Sequence, residues 1–202
     1  RAPLKVTVSA NNVTYGEKAD VNYSVTGFVY GEDESVLGGS IVYTYQKDSE
    51  NYTQSVFTVG NYTVTASGLS ADNYDFKYTQ ASFEVTKRTA YVTLSANNVT
   101  YGNEPQVTFS HSGFIAEDAD KISLDFTFDG KLTVDDKLTV GDHTVTATIT
   151  DEYINKNYNT QVTGAQFSVA KATLQVTVTA QNVTYGQNPA VTYDVTGFAY
   201  GE

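Results

Sequence analysis

A six-residue stretch, Asn11-Asn12-Val13-Thr14-Tyr15-Gly16, returns as Asn97-Asn98-Val99-Thr100-Tyr101-Gly102 and again as Gln181-Asn182-Val183-Thr184-Tyr185-Gly186. Tyr101 follows Tyr15 by 86 positions and Tyr185 follows Tyr101 by 84. A period of that length marks a small domain rather than one turn of a solenoid. The 202 residues therefore hold two full repeats and part of a third. Each repeat lies at the small end of autonomous folding. With no cysteine in the chain, its stability must come from apolar packing and strand pairing.

The apolar residues are those of β-structure. Tyr (16) and Phe (10) are plentiful beside Val and Thr, whereas Trp and Met are absent. Leu4, Val6 and Val8 alternate with Lys5, Thr7 and Ser9, the period-2 pattern of a half-buried strand. Val21, Tyr23 and Val25 alternate likewise up to Gly27-Phe28. Further strands are expected at 41–45, 55–59, 62–66, 74–78 and 82–85, with Gly60-Asn61 as a tight hairpin turn and Gly141-Asp142 as its copy. The stretch from Gly31 to Gly39 frames one short helical turn with Glu32, Asp33 and Glu34 at its positive end. Six or seven short strands per repeat predict an all-β chain of tandem small β-sandwich (Ig-like) repeats. The alternative is a β-grasp-like unit, should that helical turn be longer.

The boundaries follow from the joints. Residues 1–3 read as linker, 4–87 as repeat one, 88–171 as repeat two and 172–202 as a partial third. Repetition alone also permits the phase 33–118 and 119–202. The joints Thr86-Lys87-Arg88-Thr89-Ala90 and Ala170-Lys171-Ala172-Thr173 are short and not Gly/Ser-rich, which predicts a semi-rigid relation between repeats and an end-to-end rod. Two strands are too few to stand alone, so the partial repeat is expected to pack on repeat two or on another molecule. Neighbouring repeats of the same chain are the first expected partners.

The net charge of −11 and the lack of a Lys/Arg cluster disfavour nucleic acid and anionic membrane surfaces as partners. No apolar run reaches the ~18 residues of a membrane span. Catalysis needs converging groups, and the two histidines, His111 and His143, align with Val25 and Tyr62 of repeat one, so no His site repeats. We expect no catalytic residues and no cofactor. Calcium is the one ion with candidate ligands, in the acidic loops Glu32, Asp33, Glu34 and Glu117, Asp118, Asp120, weighed against solvated loop charge. Tyr15-Gly16, Tyr101-Gly102 and Tyr185-Gly186 read as fold-defining turns, with stacking of their tyrosines on sugar rings as the rival reading.

The Asn/Gln-Asn-Val-Thr-Tyr-Gly stretch, with Val25-Thr26-Gly27-Phe28, Val59-Gly60-Asn61-Tyr62 and Phe83-Glu84-Val85-Thr86-Lys87, resembles bacterial MBG-type repeats of the Tyr-Gly kind. The resemblance implies a tandem module of an adhesin or other extracellular, bacterial cell-surface protein. It implies a stalk or spacer role, with adhesion to a host glycan, mucin or protein as the alternative. The Tyr-Gly-Asp common in such repeats stands here as Tyr15-Gly16-Glu17, Tyr101-Gly102-Asn103 and Tyr185-Gly186-Gln187. The variable acidic loop is where a partner is expected.

Overall fold

The computed structural model describes residues 1–129 and 137–202. In chain order, repeat one contributes strands β1 (Ala2–Ala10), β2 (Val13–Thr14), β3 (Val21–Thr26), β4 (Gly38–Lys47), β5 (Glu50–Tyr52), β6 (Gly60–Ser70), β7 (Tyr74–Thr79) and β8 (Ala81–Thr86). Repeat two contributes β9 (Arg88–Ala96), β10 (Val99–Thr100), β11 (Val107–Ser112), β12 (Leu124–Phe128), β13 (Gly141–Ile149), helix α1 (Glu152–Asn157), β14 (Tyr158–Thr163) and β15 (Ala165–Ala170). Strands β16 (Gln175–Ala180) and β17 (Val191–Thr196) follow. The fold is all-β, and among the described residues α1 is the only α-helix. Among the described residues no helix is long and apolar enough to cross a membrane.

Contacts divide the chain into two compact units. The first comprises Arg1–Ala90 with Gly113–Ile122 and Asp151–Thr160, and the second comprises Tyr91–Ser112, Ser123–Thr150 and Gln161–Glu202. The first unit thus joins repeat one to the acidic loop and α1 of repeat two.

In the first unit, sheet β3-β1-β7 lies over sheet β2-β8-β6-β4-β5. Alternation in β1 puts Leu4, Val6 and Val8 inward, and Leu4 and Val6 meet Val25 and Tyr74. After β1 the chain crosses to the other sheet, and the short strand β2 pairs parallel with β8. Rings fill one end of the sandwich. Phe57 packs against Tyr45, Tyr52, Tyr62 and Phe83 at centroid distances of 5.0 to 5.6 Å, and Tyr62 stacks on Phe83 at 5.3 Å. Aromatic pairing of this kind adds to area burial, and it gives the Tyr- and Phe-rich composition its use.

Three expectations are corrected here. Residues 55–59 form no strand. Side chains satisfy this backbone instead: Tyr52 Oη donates to Val56 O at 2.7 Å, and Lys47 Nζ donates to Thr58 Oγ1 at 2.7 Å and to Val59 O at 2.8 Å. Gly60-Asn61 and its copy Gly141-Asp142 are accordingly not hairpin turns but the starts of β6 and β13, with Gly60 at φ 145° and Gly141 at φ 136°. The helical turn of the acidic loop is a 3-10 turn of three residues, Glu34–Val36, too short for the β-grasp alternative.

The second unit holds sheet β10-β15-β13-β12, the antiparallel pair of β11 with Tyr91–Ala96 of β9, and the hairpin β16-β17. His143 occupies the place of Tyr62, buried and stacked on Phe167 at 5.5 Å, with Nδ1 3.0 Å from Asp129 Oδ1 and Nε2 2.8 Å from Thr139 O. His111 lies in β11, exposed and 6.4 Å from the Phe109 ring.

Leu4 is fully buried between the sheets. Leu4→Ala should cost about 2–5 kcal/mol through lost transfer energy and the cavity left behind, measured as a lower urea midpoint at unchanged m value.

Candidate functional site

The recurring stretch can be read residue by residue. Asn12 Oδ1 accepts from Glu84 N at 2.8 Å, and its copy Asn98 accepts from Ser168 N at 2.8 Å, so the asparagine fastens the crossing chain to its new sheet. Val13 and Thr14 then pair with Val85 and Thr86, and Tyr15 N donates to Thr86 O at 2.9 Å. A tight turn closes when Glu17 N donates to Thr14 O at 2.9 Å, and it recurs as Asn103 N to Thr100 O and Gln187 N to Thr184 O. The turn glycines have φ of 86°, 100° and 89°, a conformation that L side chains avoid. Glu17 stands where Asp is common, and its Oε2 accepts from Thr14 N at 2.9 Å.

This backbone geometry throws the tyrosine outward from its own sandwich. Tyr15 is nevertheless fully buried, because within the first compact unit it enters a pocket made by repeat two. Its Oη donates to Asp118 Oδ2 at 2.7 Å and lies 2.8 Å from Tyr153 Oη. Its ring meets Tyr158 edge-on at 5.2 Å and Tyr153 at 6.4 Å. Asp118, only 1% exposed, also accepts from Tyr158 Oη at 2.8 Å and from Lys121 Nζ at 2.6 Å. Lys121 Nζ sits 4.3 Å over the Tyr153 ring.

A carboxylate is costly to bury unless donors replace its water. Burial alone would raise the Asp118 pKa, but the hydrogen bonds from Lys121, Tyr15 and Tyr158 outweigh it and hold the carboxyl below its ordinary range. Burial pushes the Tyr15 phenol up, and its bonds to Tyr153 and Asp118 push it further. Burial and the bond to Asp118 push Tyr158 up as well, against the opposing Ile115 N–H.

Backbone contacts complete the joint. A Cβ on Gly16 would lie 2.7 Å from Ile115 Cγ2, so only glycine allows this approach. Arg88 Nε donates to Gly113 O at 2.7 Å, and Lys87 Nζ donates to Asn155 O at 2.7 Å. Asn157, fully buried at the end of α1, accepts from Val59 N at 3.0 Å and donates to Tyr153 O at 3.0 Å.

A second joint of the same plan lies within the second compact unit. Tyr101 Oη donates to Glu202 Oε1 at 2.7 Å, its ring meets Tyr200 edge-on at 5.1 Å, and a Cβ on Gly102 would lie 2.7 Å from Ala199 Cβ. Glu202, Asp118 and Glu32 occupy one repeat position. Tyr185, the third copy, is fully exposed at 105%.

Three of the six acidic residues named as calcium candidates have other engagements. Asp118 is the buried acceptor just described, Glu32 accepts a short hydrogen bond from Tyr74 Oη, and Asp33 caps the 3-10 turn by accepting from Ser35 N at 2.9 Å. Glu34 lies in that turn, while Glu117 and Asp120 lie in the 3-10 turn Ala116–Lys121. Among the described residues no group of three or more His, Cys, Asp or Glu side chains is disposed to hold a metal ion. The structure brings the Tyr-Gly turn of one repeat and the acidic loop of the next together, which their separate readings did not anticipate. Tyr153, Asn157 and Arg88 were also missed. Asp151, followed by Glu152, carried the signal for α1: it caps the helix by accepting from Ile154 N at 2.9 Å.

Tyr15→Phe removes a donor from a buried carboxylate and should cost about 1–3 kcal/mol, read from urea unfolding. Because the folded pKa of Asp118 is depressed, its contribution is fully present above the unfolded value of about 3.9 and is lost as pH falls through the folded value. Below about pH 4 the wild-type urea midpoint should therefore fall more steeply than that of Asp118→Asn. Asp129, also depressed, titrates in both chains and cancels in the difference.

Among solved structures, the chain is similar to the fibronectin(III)-like modules of Clostridium thermocellum CbhA, at 19% identity over 82% of this chain and 94% of that one, with a TM-score of 0.30. It is similar to three N-terminal domains of the bacteriophage RB49 Highly Immunogenic Outer Capsid protein (Hoc), at 16% identity over 100% of this chain and 72% of that one, TM-score 0.29. It is similar to the N-terminal part of the bacterial S-layer protein SbsC, at 18% identity over 82% of this chain and 44% of that one, TM-score 0.24. With TM-scores this low, the fold rests on the chain's own strand pairing. No curated protein matches the chain. The family whose model matches is the MBG domain (YGX type), over residues 4–84, so repeat one carries the match that the Tyr-Gly resemblance implied.

Proposed function

We propose that this chain is a non-enzymatic tandem repeat segment of an extracellular, bacterial cell-surface protein, and that it acts as a stalk or spacer. The observation that carries this reading is the buried Tyr15–Asp118 contact, in which one repeat supplies the donor and the next the acceptor. A spacer must hold successive repeats in a defined relation. Directional hydrogen bonds to a buried charge do this where a linker alone would not. The Tyr101–Glu202 contact supports the reading by repeating the device, and the family match over residues 4–84 supports the surface location.

Small-angle scattering tests the proposal. Adding one further repeat to the full chain should lengthen its maximum dimension by a fixed increment, and Tyr15→Ala with Asp118→Ala should broaden the distance distribution. A dimension that does not grow with repeat number would contradict the spacer role, as would specific capture on a glycan array.

A further inference from the structure

The first and last segments of repeat one run side by side in a single register. Strand β1 pairs parallel with β7, from Ala2 on Tyr74 to Thr7 on Thr79. Strand β2 pairs parallel with β8, Val13 on Val85 and Thr14 on Thr86. Every partner lies 72 positions further along the chain, although the two pairs belong to different sheets. Segments 2–14 and 74–86 therefore change sheet together and keep their register across the change.

Side chains reinforce this ladder. Asn12 Oδ1 accepts from Glu84 N at the crossing, Thr79 Oγ1 donates to Val6 O at 3.3 Å, and Thr86 Oγ1 donates to Val13 O at 3.4 Å. Ala2 N donates to Asn73 O at 3.1 Å at one end, and Tyr15 N donates to Thr86 O at the other. Leu4, Val6, Tyr74 and Val85 are buried along it, and hydrogen bonds are stronger where the local dielectric is low. Repeat two fastens its last strand in the same way. Val99 and Thr100 pair parallel with Val169 and Ala170, Asn98 Oδ1 accepts from Ser168 N, and Tyr101 N donates to Ala170 O at 2.8 Å.

The direction of these pairings decides how tension acts on them. A pull along repeat one enters at the Ala2 end of β1 and leaves at the Thr86 end of β8, which continues into β9 with only Lys87 between them. In a parallel ladder those are opposite ends. The bonds run between the strands at even spacing, so the pull slides one segment along the other and all of the bonds share the load. A pull on both segments at one end would instead open them one at a time. We propose that the repeat is a tension-bearing module, and that the ladder between segments 2–14 and 74–86 is its clamp. This inference deepens the spacer reading and rests on it for the source of the load.

Single-molecule pulling on the full chain tests the clamp. The chain has no cysteine, so two introduced cysteines serve as handles. Arg1→Cys with Thr89→Cys loads the ladder from opposite ends, and Arg1→Cys with Asp72→Cys peels it from the Ala2 end; all three positions are exposed. Forced unfolding follows the unfolding barrier that the pull meets, so the first pair should rupture at about twice the force of the second, or more, at one pulling speed. Asn12→Ala should lower the first force and leave the second unchanged, because the peel begins at the far end of the ladder. Equal forces, or an Asn12→Ala effect that is absent or the same in both directions, would overturn the proposal. Should a variant fail to fold, Asn73→Cys, also exposed, replaces Asp72→Cys, and Thr86→Val, which removes the bond to Val13 O, replaces Asn12→Ala. Equal forces would remove the clamp and leave the spacer role standing. A scattering dimension that does not grow with repeat number would remove the spacer role and leave the force ratio intact.

Discussion

The joint between repeats one and two depends on a carboxylate that is almost wholly out of water. Asp118 has given up its hydration, and three donors replace it: Tyr15 from repeat one, with Tyr158 and Lys121 from repeat two. Remove the neighbouring repeat and one of those donors goes with it, leaving a buried charge under-satisfied. The joint is thus coupled to the fold of repeat two through the same atom. Tyrosine suits this position because its apolar ring fills the pocket while its hydroxyl reaches the acid. Phenylalanine would supply the first property and not the second.

The recurring stretch serves two folds at once. Its first half belongs to its own sandwich, where Asn12, Val13 and Thr14 secure the crossing from one sheet to the other. Its second half belongs to the next repeat, since Tyr15 and Gly16 are shaped by their own turn but make their contacts on Ile115, Asp118 and Tyr158. The two joints keep the plan and vary the surroundings. Around Asp118 there are Lys121 and the ring of Tyr153 on α1, and Tyr15 is fully buried. Around Glu202 the aromatic neighbour is Tyr200, and Tyr101 stays half-buried.

The sequence made the period, the alternation of β1 and its copy β9, and the all-β class legible, because each is a local or periodic signal. Leu4, Val6 and Val8 point inward as the alternation requires, as do Ala90, Val92 and Leu94. It did not reveal that residues 55–59 are loop, since their backbone is satisfied by Tyr52 and Lys47, partners that no period-2 pattern reports. Helix α1 is six residues long, too short for an amphipathic period, and only the cap Asp151 advertised it. The acidic loop looked like solvated charge because burial is a tertiary property. Asp118 is distinguished from Asp120 by what the rest of the first compact unit brings to it, above all a tyrosine 103 residues away in sequence.

The central claim is that Tyr15 and Asp118 act as one energetic unit linking two repeats, and a double-mutant cycle measures this directly. Unfolding free energies of the wild type, Tyr15→Phe, Asp118→Asn and the double variant, taken near neutral pH, yield the coupling between the two side chains. The account predicts a coupling of about 1–3 kcal/mol, at the level of contacting residues in one buried network. Effects that simply add, within about 0.3–0.5 kcal/mol, would contradict it.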